Sequence, residues 1–582
     1  MPKALFIWLL TFMLLLQQMA FSQQFSLSIL PADSNTMQNM KRLNYNARPA
    51  GTLSAHKELN KVLQYYFGKG YLTASIDSVK EDSLSVSAWL YTGDIYTLSM
   101  IRPGNADPNI LAQSGYKERL YSNRPFKRKE ITRLAESILR YCENNGYPFA
   151  SVQLDSIRIE PDNSISASLK LDLHHKVSID SIMVKGSSNL HINYITNYLR
   201  IKAGDLYNEG RVMKMERRLG ELPYLQMIRP PEVAFIDEKA KIILYLDKQR
   251  ASQFDGIIGI APNETTSGGL LLTGDVKLKL LNALNRGELI DFNWRKLEAQ
   301  SQDLNIHLNY PFLFSTPFGF DYKLQLFKKD TSYLTLANNL GIQVLFSGNN
   351  HVMAFYENQR SSLLSSEGLE SLSTLPEYAG VTSNMYGLQL FYSRLDYRFN
   401  PRKGFGLDFS GSTGSRKIRK NDEIKQELYE DIPLSSSIYK LRLNARLFIP
   451  LFMKTTFMIA NKSGYLENKN LFSNELFRIG GLKSLRGFDE EAITASLYSV
   501  MTFEFRFLFD RNSFFQLFFD GAFYEQRLYS GYMNDTPYGF GAGLSFETRA
   551  GIFNLSYALG SGYGQPLQFK TAKVHFGLTA RF

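Results

Sequence analysis

The last thirteen residues, "KTAKVHFGLTARF" (570–582), alternate without a break: Ala572, Val574, Phe576, Leu578, Ala580 and Phe582 fall on one face, and Thr571, Lys573, His575, Gly577, Thr579 and Arg581 on the other. A period of two marks a β-strand with one apolar and one polar face. "YGFGAGLSFET" (538–548) does the same, with Phe540, Ala542, Leu544 and Phe546 opposite Gly539, Gly541, Gly543, Ser545 and Glu547. A half-buried strand of a soluble sheet would also alternate, so the number of such strands matters more than any one of them. About sixteen of them, bounded by Gly, Pro, Asn, Asp and Ser, occupy residues 254–582, roughly 20 residues for each strand and its connection. Strands of about ten residues suit a tilted crossing of a bilayer, and closure removes the edges that an open sheet of this size would expose. The expectation for 254–582 is therefore a 16-stranded antiparallel transmembrane β-barrel. A soluble sandwich or propeller fits less well, since no blade repeat is present and the terminal aromatic residue falls on the apolar face.

Upstream the grammar differs. Residues 1–22 carry Lys3, an apolar run from Ala4 to Leu16, and the small residues Ala20 and Ser22 before Gln23, which is the pattern of an export signal peptide. The apolar run is too short to span a bilayer as a helix. From about residue 25 to 250 helical and strand periods mix, and the chain repeats itself. "FGKGYLTASI" (67–76) is echoed by "ENNGYPFASV" (143–152), with the Gly-Tyr pair recurring at a separation of 76, and more weakly by "GELPYLQMI" (220–228). An amphipathic helix pattern precedes each echo and a hairpin pattern follows it, which indicates tandem modules. The strands "YTLSMIRPG" (96–104) and "VSIDSIMVKG" (177–186) open the second and third modules, giving the order strand, helix, helix, strand, strand. The expected α+β modules span 23–94, 95–174 and 175–250. The first reads as degraded, because its first helix is poorly marked.

Composition limits the function. No window after the leader offers about 18 uninterrupted apolar residues, so membrane-spanning helices are not expected. The formal charge of +11 comes from dispersed basic residues in an exported chain, a poor match to a nucleic-acid binder. The single cysteine, Cys142, has no internal disulfide partner and lies on the apolar side of the helical stretch 128–143. The seven histidines have no spacing suited to a metal site. There is no Gly-x-Ser-x-Gly elbow and no phosphate-binding Gly-x-x-x-x-Gly-Lys loop. No catalytic residue, metal site or cofactor is therefore expected, and the chain does not read as an enzyme.

One stretch between two membrane-type strands is compact, basic and rich in glycine: "RIGGLKSLRGF" (478–488). Its Gly480, Gly481, Leu485, Arg486, Gly487 and Phe488 resemble the loop motif, an aliphatic residue followed by Arg-Gly-Phe, of the BamA/TamA superfamily of outer-membrane assembly factors. "PRKGFGLDFSG" (401–411) resembles that family's strand-opening Pro-x-x-Gly element, and "TFEFRFLF" (502–509) and "LFFDGAFY" (517–524) resemble the strands that follow the loop. Phe576, Leu578 and Phe582 match its C-terminal strand signal, and the upstream repeats match its POTRA modules.

The resemblance implies a barrel in the bacterial outer membrane with its modules in the periplasm. The protein would insert and fold β-barrel proteins through a weak seam between first and last strands, with the modules receiving clients by strand addition. Its partners would be unfolded outer-membrane proteins, outer-membrane lipids, and periplasmic or lipoprotein accessory proteins. Three modules are closer to TamA than to BamA, so a TamA-like accessory translocation factor or a two-partner secretion pore is the alternative; a passive porin has no use for tandem modules. A loop folded into a watery lumen needs bends, which Gly480, Gly481 and Gly487 supply, and a polar anchor, which Arg486 supplies. If Phe503, Phe505 and Phe507 face lipid, Glu504 faces the lumen, and if Leu517 and Phe519 face lipid, so does Asp520; these acids are the expected partners of Arg486. The candidate gate strand contains Gly256, Ile258 and Gly259.

Overall fold

Alternation sorts the side chains of the C-terminal strands onto two faces. On strand Leu497–Leu508, Phe505 and Phe507 are exposed and Glu504 is buried; on strand Phe514–Leu528, Phe515, Leu517, Phe519 and Phe523 are exposed and Asp520 is buried. Tyr386 and Leu388, near the middle of strand Gly380–Leu395, are 68% and 64% exposed. This inverts the rule of water-soluble proteins, and it is what a sheet requires when hydrocarbon meets its outer face and polar groups fill its lumen.

The structure, a computed structural model, describes residues 25–40, 43–262, 270–296, 301–365, 369–397, 400–482, 484–548, 551–564 and 566–581. The expected signal peptide and Phe582 lie outside these residues. Seventeen strand segments run in chain order round a closed antiparallel barrel, from Gln253–Pro262 to Lys573–Arg581. Two of them, Gly531–Asp535 and Tyr538–Glu547, both pair with Phe514–Leu528, the first with residues 524–528 and the second with residues 514–521. They form one strand interrupted at Thr536-Pro537, where proline has no N–H for the ladder. Seventeen segments less this one interruption give sixteen positions in the barrel. Among the described residues no helix is long and apolar enough to cross a membrane.

The chain divides into two compact units. One holds the described residues as far as Ile179 together with Gly204–Val212 and Phe235–Ala240, and the other holds Asp180–Ala203, Met213–Ala234 and Lys241 onward. The elements of the third module are shared between them.

Each module has the order strand, helix, helix, strand, strand. In the first these are Ser26–Pro31, Ser34–Asn39, Thr52–Lys69, Ser75–Asp82 and Ser85–Tyr91, so all five elements are present. Its first helix is only six residues long and is capped by Asp33, which explains its faint signal in the sequence. In the second module the strands Thr97–Arg102, Ser151–Ile159 and Ser164–Asp172 accompany the helices Pro108–Gln113 and Arg128–Asn144. Leu134, Ile138 and Cys142, spaced by four, form the buried stripe of the longer helix. The third module has strands Ser178–Lys185, Leu225–Ile236 and Lys239–Lys248 and helices Ile192–Leu199 and Glu209–Gly220.

Within the second unit, helix Ile192–Leu199 is stitched to turns at one end of the barrel, hereafter the module end. Asn193 Nδ2 donates to Ser315 Oγ and Asn197 Nδ2 to the Ser315 carbonyl, both at 3.1 Å, and Arg200 Nη2 donates to the Leu345 carbonyl at 3.2 Å. Tyr194 meets Phe312 edge to face, with centroids 5.5 Å apart. Gly348 has φ +58°, and a Cβ there would lie 2.3 Å from Glu221 Oε2. Burial of Glu221 at this contact raises its carboxyl above the ordinary carboxylate range.

Candidate functional site

The connection between strands Thr455–Glu467 and Leu497–Leu508 leaves the far end of the barrel and turns back into the lumen. A short hairpin, Phe477–Ile479 with Ile493–Ala495, carries it, and its tip bends at Gly480, Gly481 and Gly487, whose φ values are +119°, +85° and +94°. A residue with a Cβ would be strained at these angles. Leu485 and Phe488 are buried with Ile479, Tyr498, Val500 and Tyr524 on the inner wall. Apolar packing and polar anchoring thus act on the same few residues.

Arg486 is the anchor. Its Nε and Nη2 donate to Oδ2 and Oδ1 of Asp520, both at 2.6 Å, and its Nη1 donates to Glu504 Oε1 at 2.7 Å. Its backbone N–H also donates to Asp520 Oδ2 at 3.1 Å, and the guanidinium carbon lies 3.7 Å from the centroid of the Phe518 ring. Thr502 Oγ1 donates to Asp520 Oδ1 at 2.8 Å, and Arg506 Nη2 donates to Glu504 Oε2 at 2.5 Å. Two arginines therefore balance two carboxylates, and the planar fork of Arg486 is used in full. Arg486, Glu504 and Asp520 are 6%, 5% and 1% exposed, so the pairing takes place away from bulk water.

A stripe of the barrel wall is stripped of side chains to admit this loop. A Cβ on Gly539 would lie 1.9 Å from the Arg486 carbonyl oxygen, and one on Gly560 would lie 2.6 Å from that of Gly487. Strand parity puts Gly539, Gly541 and Gly543 on the face opposite Phe540 and Leu544, but nothing in the sequence says what lies against them. The segment Asn470–Leu476 is another part of the lumen that sequence reasoning missed: Glu475 is paired with Arg416 across 59 positions of sequence, too far apart for any local pattern to reveal.

Among the described residues the candidate gate strand meets the terminal strand at two residue pairs, Gln253↔Arg581 and Phe254↔Ala580. The other junctions of the barrel are zipped over seven to sixteen pairs, as the junctions of Leu289–Lys296 with Gln302–Tyr310 and of Gly380–Leu395 with Gly404–Arg419 illustrate. Gly256, Ile258 and Gly259 all pair with strand Leu270–Leu281, and Gly577 pairs with Asn554, because a glycine keeps its N–H and carbonyl for the ladder. The seam is short because the pairing of its two strands ends at Phe254↔Ala580. Phe576 and Leu578 lie on the terminal strand, opposite Leu555 and Phe553 in register; their side chains, like that of Ile258, are outside the described residues.

An apolar outer wall, a charged inner wall, an inserted loop and preceding α+β modules define an outer-membrane β-barrel of the multi-module class. Residues 282–582 match the Omp85 superfamily domain, and the chain belongs to that superfamily. CdiB from Escherichia coli is similar in structure, with TM-score 0.55 at 12% identity, covering 90% of this chain and 97% of that one. CdiB from Acinetobacter baumannii gives 0.51 at 14% identity, with 90% and 97% covered. BamA from Haemophilus ducreyi lacking POTRA domains 1–3 gives 0.42 at 14% identity, with 84% and 99% covered. The modules, each with the order strand, helix, helix, strand, strand, are POTRA-like.

Proposed function

We propose that this protein inserts and folds β-barrel proteins in the bacterial outer membrane, templating their strands on the seam between its own first and last strands. The observation that carries the reading is the two-pair seam in a barrel otherwise zipped throughout. In hydrocarbon an unmade backbone hydrogen bond has no water to replace it, so an edge left open is stabilised by an incoming strand. The modules, placed in the periplasm, receive unfolded clients by the same chemistry. Ser151–Ile159 in the second module and Leu225–Ile236 in the third lie at sheet edges, with Ile157, Ile159, Ile228 and Ile236 exposed. Backbone pairing tolerates many client sequences, and periplasmic or lipoprotein partners would compete for the same edges.

The test is conditional depletion followed by mass spectrometry of every outer-membrane barrel protein. A broad fall with precursors accumulating in the periplasm is the expected result. Loss of only one or a few surface or secreted proteins would sink general insertion and leave an accessory translocation factor or a two-partner secretion pore.

A further inference from the structure

The inserted loop is held at a second place, remote from Arg486. Its segment Asn470–Leu476 lies against strands Gly404–Arg419 and Asn350–Leu363, and three strands separate the former from Asp520's strand. Arg416 is completely buried, and its Nε and Nη2 donate to Oε1 and Oε2 of Glu475, both at 2.6 Å. Nη2 also donates to the Asn470 carbonyl at 2.7 Å, and Glu475 Oε2 accepts the Phe472 N–H at 3.0 Å. Beside this pair Asn474 Nδ2 donates to Ser361 Oγ at 2.6 Å and to the Ala379 carbonyl at 2.8 Å. Phe472 packs with Leu375, Ile424, Tyr429 and Ile432, which belong to two other loops at the far end of the barrel. Three loops thus share one small apolar core, bolted to the wall by one ion pair.

The two anchors differ in their reserves. Arg486 has two acids, and Glu504 retains Arg506 if Arg486 is removed. Arg416 and Glu475 have no second counter-ion among the described residues. Loss of either one leaves the other's charge buried without its partner.

We infer that Arg416 and Glu475 are positioning residues forming a latch that holds the far-end loops as a lid over the lumen, and that this latch works independently of the Arg486 clamp. The inference goes beyond the proposed insertion activity and does not depend on the client. It is tested on the full chain reconstituted in planar lipid bilayers, recording open-channel time, with the heat-dependent shift in gel mobility as the check on folding. Arg416→Ala and Glu475→Ala are expected to raise open time at least about tenfold, which corresponds to about 1.4 kcal/mol on the lid equilibrium. Arg416→Lys, which lacks the bidentate fork, does not restore closure, and independence from the clamp is read from the double variant Arg416→Ala with Arg486→Ala, whose effect on open time is the product of the two single effects. If the alanine variants fail to fold, Glu475→Gln keeps the side-chain volume and carries the same expectation. Closure retained in Arg416→Ala and Glu475→Gln, or a double variant that opens no further than either single one, overturns the latch.

Discussion

At the scale of the residue, Arg486 illustrates when an ion pair matters. An exposed pair contributes little, but here the acceptors are almost fully buried and each guanidinium nitrogen has a carboxylate oxygen within 2.7 Å. Removing one partner then costs more than the pair contributes, because the other charge stays behind without compensation. Asp520 supplies two of the three side-chain contacts and accepts the backbone N–H, so Asp520→Ala is expected to destabilise the seated loop by on the order of 3–5 kcal/mol. Glu504→Gln should cost less, since Asp520 still holds the fork. Trypsin cleavage within the loop, at Arg478, reports the release. The exchange Arg486→Asp with Asp520→Arg should recover part of the protection lost in each single variant; an exchange that recovers none would count against the clamp.

At the scale of the element, loop and wall are matched in shape as well as in charge. Gly539 faces the Arg486 carbonyl at a distance no Cβ tolerates, whereas Gly543, four residues further along the same face, faces the Gln516 side chain and the Ser556 hydroxyl. Backbone cannot move aside cheaply and a glutamine side chain can. Gly539→Ala should therefore lift the loop at a cost of about 1–3 kcal/mol, while Gly543→Ala should be close to neutral. The pair is compared by the temperature at which the folded gel mobility is lost and by loop cleavage. This contrast also marks how far the sequence could be read. A period of two, with phenylalanines on one side of Glu504 and Asp520, is a local signal, and it leads to the face on which Arg486 meets both acids. The partnership of Arg416 with Glu475, the cradle at Gly539 and Gly560, and the interruption at Pro537 depend on register and on the path of the loop. Those are products of the whole barrel and leave no periodic trace in the chain.

At the scale of the whole molecule, the barrel has its fewest described strand pairs at one junction. Along strand Gln253–Pro262 all ten residues pair with Leu270–Leu281, while the opposite edge meets Lys573–Arg581 only at Gln253 and Phe254. The terminal strand in turn pairs with Ile552–Ser561 from Lys573 to Thr579. Among the described residues, from 255 on the first strand and before 580 on the last, each has one edge committed and one edge without a partner strand. In a bilayer that arrangement is costly, and pairing with a third strand relieves the cost on both edges at once. The insertion reading therefore requires the seam to open further, and a covalent lock should abolish insertion without unfolding the barrel. Antiparallel register extended from Phe254↔Ala580 sets residue 258 opposite residue 576. The double variant Ile258→Cys with Phe576→Cys, oxidised in the folded protein, should stop insertion of a purified barrel client into liposomes, and reductant should restore it. Each single cysteine should leave insertion unchanged, and the oxidised protein should lose its folded gel mobility at a higher temperature. Undiminished insertion by quantitatively cross-linked protein would mean that clients do not pass through this seam, whatever else the open edge contributes.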